Sequence, residues 1–406
     1  MEFAQSKRLF RSNRGIGGRV LVSWLRKWER TVLPVFLSLP ISKCPGVTMP
    51  CHFSTHRVLA SQRLLAVNTI ATQIVIGCLI PVMTLGGIVL AETSQSDGMS
   101  VKLNDTGQEV TVTLGDEIFT QFDYRDYDKP ILYPIYGPGQ VGMTRNWPMK
   151  EDVAGEAHDH PHHKSMWISH EISGVDFWGE SQGRVITEAV ETEFSGSPKP
   201  SNVLRATSVW KTKKGDQPLL TDQTTYWFGG TEKSRWIDCL VDFHAKFGDI
   251  QFDDTKEGLF AIRTHPDLRL TSAPNRGVEE VFGSAVNSEG VTGKAIWGKQ
   301  ARWLLYKGTI DGKPMSIAMY DHPANLRHPT TWHARDYGLV TANPFGLHHF
   351  LRKEKGAGVF KIAKDEHLKL RYRVEFFRGE VPPSEVEASF QRFAERQLVE
   401  PVASKD

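Results

Sequence analysis

The stretch QEVTVTLGDEIFTQFDY, Gln108 to Tyr124, decides the fold class. Val110, Val112 and Leu114 alternate with polar residues, the two-residue period of a strand with one buried face. Gly115-Asp116 then marks a tight turn, so the stretch reads as a β-hairpin.

The same pattern continues along the chain. GRVITEAVETEFSG, from Gly183, gives a looser strand signal. NVLRATSVWKTKKGDQPLLTDQTTYWF, from Asn202, gives two strands around Lys214-Gly215-Asp216, and RWIDCLVDFHAKFGDIQF, from Arg235, another pair around Gly248-Asp249. RWLLYKGTIDGKPMSIAMYDH, from Arg302, turns at Asp311-Gly312, and GVFKIAKDEHLKLRYRVEFFRG, from Gly358, predicts a last hairpin near Asp365-Glu366. Turns rather than helices separate these strands, which favours antiparallel pairing over βαβ units. About a dozen or more strands exceed an immunoglobulin sandwich. The expectation is an all-β fold, a large antiparallel β-sandwich of supersandwich type, in one domain over residues 101–400. One helix closes it: PPSEVEASFQRFAERQ carries an apolar stripe of Val386, Phe390, Phe393 and Leu398, with Ser384 and Glu387 spaced as a capping box.

The first ninety residues differ from the rest. Residues 1–91 carry 11 of the 49 Lys/Arg but only two of the 47 Asp/Glu, leaving 38 basic against 45 acidic in residues 92–406. An acidic body argues against a nucleic-acid partner. The leader holds an apolar run from Leu64 to Leu90, preceded by Arg57 and Arg63, and Val89 and Ala91 fit a cleavage site before Glu92. Residues 49–91 read as a signal peptide or, if uncleaved, an N-terminal anchor, which would be the only membrane contact. Either way the expected location is periplasmic or extracellular. Met49 starts a conventional leader, so residues 1–48 read as a gene-model extension or a disordered leader, and residues 92–100 as a linker. Cys44, Cys51 and Cys78 lie in the leader, leaving Cys239 alone in the body with no internal disulfide partner.

Four regions carry candidate chemistry. GEAHDHPHHKSMWISHE, Gly155 to Glu171, holds five of the fifteen histidines. If Pro161 keeps the segment extended, His158, His160 and His162 point to one side and form a candidate face for a divalent metal. The alternatives are a substrate-lining role, to which His163 and Lys164 belong, or a hydrogen-bonded polar loop. Upstream, YPIYGPGQVGMTRNWPM reads as a long irregular loop, in which Arg145, Asn146 and Trp147 suit a sugar's hydroxyl rim and apolar face, unless the loop is only a rigid aromatic corner. In FDDTKEGLFAIRTHP, Glu257 is a candidate general acid or base tuned by Lys256 or Arg263. Alternation from Glu257 predicts Leu259, Ala261 and Arg263 on its side, and the plain alternative is a solvated hairpin end. Finally, MYDHPANLRHPTTWHARDYGLVTANPFGLHH repeats the Asp-His-Pro of Asp159–Pro161 at Asp321–Pro323. Asp321, His322 and His333 are proton-transfer candidates, with Asn325, Arg335 and Asn343 holding substrate. The repeat predicts that this region and the histidine loop share a cavity; otherwise they are unrelated polar turns.

These motifs, with GVDFWGE, resemble a bacterial domain family that carries the label methane oxygenase PmoA and is also known as a domain of unknown function. The resemblance runs from Gly107 to Gly379 and implies an exported protein. It implies no oxygenase reaction and supplies no catalytic residue. The methane monooxygenase subunit of that name spans the membrane, whereas no run after Ala91 approaches bilayer length.

Three functions follow. The first is an exported carbohydrate-active enzyme, a hydrolase, lyase or epimerase, using histidine and carboxylate proton transfer on a glycan or other small ligand. The second is a metal-dependent hydrolytic or oxidative enzyme using the histidine cluster. The third is a non-catalytic glycan-binding protein.

Overall fold

The computed structural model describes residues 98–104, 106–194, 201–272 and 283–397. The expected extension, the signal or anchor, residues 92–97 of the linker and Leu398 lie outside them. No helix among the described residues is long and apolar enough to cross a membrane.

In chain order the first strands are β1 (Met99–Leu103), β2 (Glu109–Leu114), β3 (Glu117–Asp123), β4 (Ile131–Gly137), β5 (Val141–Gly142), β6 (Met166–Ile168), β7 (Glu171–Ile172) and β8 (Val175–Asp176). The long strands β9 (Gly183–Glu191), β10 (Val203–Thr212), β11 (Pro218–Gly230) and β12 (Ser234–His244) follow, then β13 (Ile250–Phe252), β14 (Phe260–Arg263), β15 (Ser284–Asn287), β16 (Trp303–Ile310) and β17 (Lys313–Asp321). The last are β18 (Thr331–Ala334), β19 (Leu339–Asn343), β20 (Phe360–Ile362) and β21 (His367–Arg378), with helices α1 (Leu347–Leu351) and α2 (Pro383–Glu395).

Two large antiparallel sheets make the sandwich. One runs β1-β2-β3-β4-β6-β14-β19-β18, with β5 on β4, and the other β15-β16-β17-β21-β12-β11-β10-β9. A small third sheet runs β20-β13-β7-β8. The hairpin from Gln108 forms as expected, with Leu114 opposite Glu117. The inner faces meet through aromatic rings: Phe119 of β3 stands edge-on to Phe228 of β11 at 6.1 Å and to Phe376 of β21 at 6.2 Å.

Two expected pairings do not occur. β12 does not pair with β13 across Gly248-Asp249, and β20 does not pair with β21 across Asp365-Glu366. Instead β13 pairs with β20 in the small sheet. The reason is edge occupancy: β12 is hydrogen-bonded to β11 and β21, and β21 to β12 and β17, so neither has a free edge.

Helix α2 covers the outer face of the second sheet, burying Val386, Phe390 and Phe393 on Trp303, Leu305 and Tyr320. The expected capping box is absent, because Pro382 occupies the N-cap and makes no side-chain cap bond. Glu387 instead accepts hydrogen bonds from Trp303 Nε1 at 2.6 Å and Arg302 Nη1 at 3.0 Å. It fastens the helix to the sheet.

Alternation on the first sheet positions the candidate site. Met166 and Ile168, Phe260 and Ile262, and Trp332 and Ala334 face the main core. Their neighbours Trp167 and Ala261 belong to a separate cluster with Ile131, Trp178 and Leu339. By the same period Arg263 and His333 lie on that second face. Leu259 departs from the expectation and joins the main core. Gly258, at φ +149°, interrupts the alternation before it.

Candidate active-site cleft

A cleft of about 610 Å³ opens on this second face. The histidine loop contributes His160, His162 and His163, the β7–β8 hairpin Glu171 and Asp176, and the segment after it Trp178 and Gly179. Thr255, Lys256 and Glu257 precede β14, His333 comes from β18, and Arg335 and Tyr337 from the turn beyond it. The two histidine-rich regions therefore do share a cavity.

The loop is not extended as expected. His160 has φ +49°, so the alternation of His158, His160 and His162 is broken at its middle member. His158 stacks on Trp147 at 5.1 Å and does not line the cleft. His160 stacks on His163 at 4.7 Å and on Tyr337 at 5.2 Å. The three do not converge as a metal face, and among the described residues no group of three or more His, Cys, Asp or Glu side chains is arranged to hold a metal ion.

Arg145 shapes the loop from beneath. Its guanidinium donates to Asp159 Oδ1 at 2.7 Å and to the carbonyls of Ala157, Asp159, His160 and His163. Arg263 reaches the same Asp159 oxygen at 3.1 Å and lies over the Tyr337 ring at 4.4 Å. Asn146 hydrogen-bonds Tyr133 and Glu156, and the Trp147 amide donates to Glu156. Arg145, Asn146, Trp147 and Arg263 thus build the cleft from outside it. Lys164 also lies outside and pairs with Glu180 at 2.5 Å.

Glu257 and His333 are the close acid–base pair, Oε2 to Nδ1 at 3.8 Å. Lys256 pairs with the other Glu257 oxygen. His170 is buried behind them, its Nδ1 3.0 Å from the Glu257 carbonyl and its Nε2 2.8 Å from that of Asp253. Asn343 holds the same turn, donating from Nδ2 to the Thr255 carbonyl at 3.0 Å. The sheet and these two side chains fix where Glu257 sits.

Asp321, His322 and Asn325 are elsewhere. Asp321 is fully buried, accepting from Asn325 Nδ2 on one oxygen and from the Thr330 amide and His328 on the other. His322 accepts from the Ala324 amide and meets Phe393 of α2 edge-on at 5.2 Å. They fold the loop after β17 against the helix and do not line the cleft.

Three imidazoles in the cleft, those of His162, His163 and His333, are poor bases for being buried. Desolvation holds His333 at about 4, opposed by Glu257. His162 is held at about 4 by burial, reinforced by Lys129. Burial pushes His163 well below the ordinary histidine value. At neutral pH each is uncharged, with one nitrogen to donate and one to accept. Several of these buried polar atoms have no partner within the protein: both ring nitrogens of His163, His333 Nδ1 and the Trp178 indole nitrogen. They lie on residues that line the cleft, while other such atoms, among them Arg235 Nε and Tyr372 Oη, lie elsewhere in the fold.

Sequence reading missed Glu171, Asp176, Trp178, Thr255 and Tyr337. Trp178 follows Val175-Asp176-Phe177 and Tyr337 follows Arg335-Asp336, and only tertiary packing against Trp167 and Leu339 marks them as cleft walls.

Comparisons with known proteins bear on family and little else. No curated protein matches the chain. Among solved structures it is similar to a β-arabinopyranosidase (10% identity, TM-score 0.31), covering 64% of this chain and 38% of that one. A second is described as a kojibiose phosphorylase, from the human microbiome (8%, TM-score 0.25; 73% and 36%). A third is the 4-α-glucanotransferase of Thermococcus litoralis (9%, TM-score 0.23; 69% and 39%). The chain spans less than half the length of each, and likenesses this slight assign no activity. The profile of a family of unknown function (DUF6807), which names no oxygenase, matches residues 109–391. Since that match takes in most of the chain and every wall of the cleft, the protein belongs to this family of unknown function.

Proposed function

We propose that the protein is a carbohydrate-active enzyme, with Glu257 and His333 as its proton-transfer pair. The supporting observation is their approach to 3.8 Å inside a cleft of about 610 Å³ lined by imidazoles, carboxylates and the Trp178 and Tyr337 rings. Sugar hydroxyls both donate and accept, and so match neutral imidazoles and carboxylates together. Glu171 and Asp176 add acceptors on one wall. His333 is uncharged at neutral pH and a weak base on its own, and the Glu257 carboxylate 3.8 Å away favours the imidazolium that proton transfer forms. The acidic body behind a basic, apolar leader supports export, where extracellular glycans are met.

The test is turnover of a glycan panel by the purified body, read as new reducing ends and as unsaturated products, with E257Q and H333A alongside. Turnover by wild type that falls about a hundredfold or more in both variants is the expected result. No turnover by wild type, or full activity in either variant, overturns the reading; binding without turnover leaves a non-catalytic glycan binder.

A further inference from the structure

We propose that the cleft selects a sugar bearing a carboxylate, a uronic acid unit, and that Arg335 is the group that binds it. This rests on the carbohydrate reading above and names its substrate class.

The argument is one of charge partners. Each other cation in or beneath the cleft has a carboxylate of its own. Arg145 and Arg263 share Asp159, Lys129 and Lys164 share Glu180, and Lys256 has Glu257. Arg335 lines the cleft with no carboxylate partner among the described residues. What holds it is the Tyr337 ring, 5.5 Å from the guanidinium carbon. With no carboxylate on it, the guanidinium has N–H donors to spare for the two parallel hydrogen bonds that grip a carboxylate.

Its position fits the proposed chemistry. His333 is in β18 and Arg335 lies two residues on, and both line the same cavity. The two-residue repeat of extended backbone places them side by side. A carboxylate on Arg335 therefore brings the attached ring carbon toward His333 and Glu257. The cleft's own acids do not compete for the guanidinium. Asp176 is occupied by the Gly179 amide at 2.8 Å and by Ser181 Oγ at 2.6 Å. Glu257 is paired with Lys256. Glu171 lies across the β7–β8 ladder from Asp176, on the hairpin wall, and serves for hydroxyls.

The test compares binding of galacturonate, glucuronate and mannuronate oligomers with that of the same oligomers after carboxyl reduction, by titration calorimetry on wild type, R335Q and R335K. Wild type is expected to bind at least one acidic series about tenfold or more tighter than its reduced counterpart. R335Q should abolish that preference while still binding the reduced oligomers. R335K, which keeps charge but not the two-pronged geometry, should fall between, and it stands in if R335Q does not fold. Equal or tighter binding of the reduced oligomers by wild type, or an unchanged preference in R335Q, overturns the assignment and leaves the carbohydrate reading intact. Binding of neither series, nor of the neutral glycans in the wider panel, sinks both.

Discussion

Lys129 Nζ lies 2.7 Å from Glu180 Oε1, with the lysine side chain wholly removed from solvent. The same ammonium donates to the carbonyls of His162 at 2.8 Å and Trp178 at 3.2 Å, so one buried cation ties together two walls of the cleft. Burial pushes it down to about 8, opposed by Glu180. Glu180 also neutralises Lys164, and E180Q would leave two lysines without a carboxylate. Removing one partner of a buried ion pair costs about 3–5 kcal/mol. Urea unfolding of E180Q should show a loss of that order, and a loss below about 1 kcal/mol would mean that water or another anion replaces the carboxylate.

Acid should destabilise the protein through its buried imidazoles. The folded-state value of His333, about 4, lies below the ordinary 6.5. The neutral form is thus favoured in the folded protein. Its contribution is whole above about pH 6.5 and is lost as pH falls through about 4. The shift corresponds to about 3 kcal/mol for this one group. Unfolding free energies of wild type and H333Q at pH 7 and pH 4 check it: the acid-induced loss should be smaller in H333Q by up to that amount. Parallel pH curves would show that His333 titrates alike in both states.

Replacing Arg145 with lysine keeps the charge and loses the fork. Five acceptors on the histidine loop now share one guanidinium, and an ammonium has three donors on a flexible stem. R145K should cost about 2 kcal/mol and expose the loop between Ala157 and His163 to proteolysis, read by mass spectrometry of limited digests. Digests identical to wild type would count against the loop depending on Arg145.

Gly258 admits no side chain. A Cβ there would stand 2.0 Å from His170 Nδ1, and φ is +149°. Because His170 contacts the Glu257 carbonyl, G258A should shift the proposed acid–base pair as well as strain the core. The expected loss is about 1–3 kcal/mol in thermal or urea unfolding, with a larger drop in any glycan turnover than stability explains.

Much of the architecture was legible in single residues. Val110, Val112 and Leu114 announced a strand with one buried face, Gly115-Asp116 its turn, and Val386, Phe390 and Phe393 the covering helix. Pairing was legible only where the turn was short and an edge was free; β12 and β21, each bounded on both sides, sent their sequence neighbours to another sheet. Of the candidate site, His160, His162, His163, Glu257, His333 and Arg335 meet in the cleft. Asp321 and His322 carry the same residue types in a similar tripeptide, yet they are spent on a loop beneath α2. Residue type states what a side chain can do, and nothing local states which cavity it reaches.

The sequence alone determined the long hairpin strands, their buried faces and the sandwich class, because side chains on an extended chain alternate by steric necessity and burial follows apolarity; it read as an irregular loop the stretch that forms most of β4 and all of β5. The tertiary structure decided which outward-facing residues face one another. That choice depends on sheet order and on a positive φ at His160, and neither is encoded in any stretch short enough to be read by period.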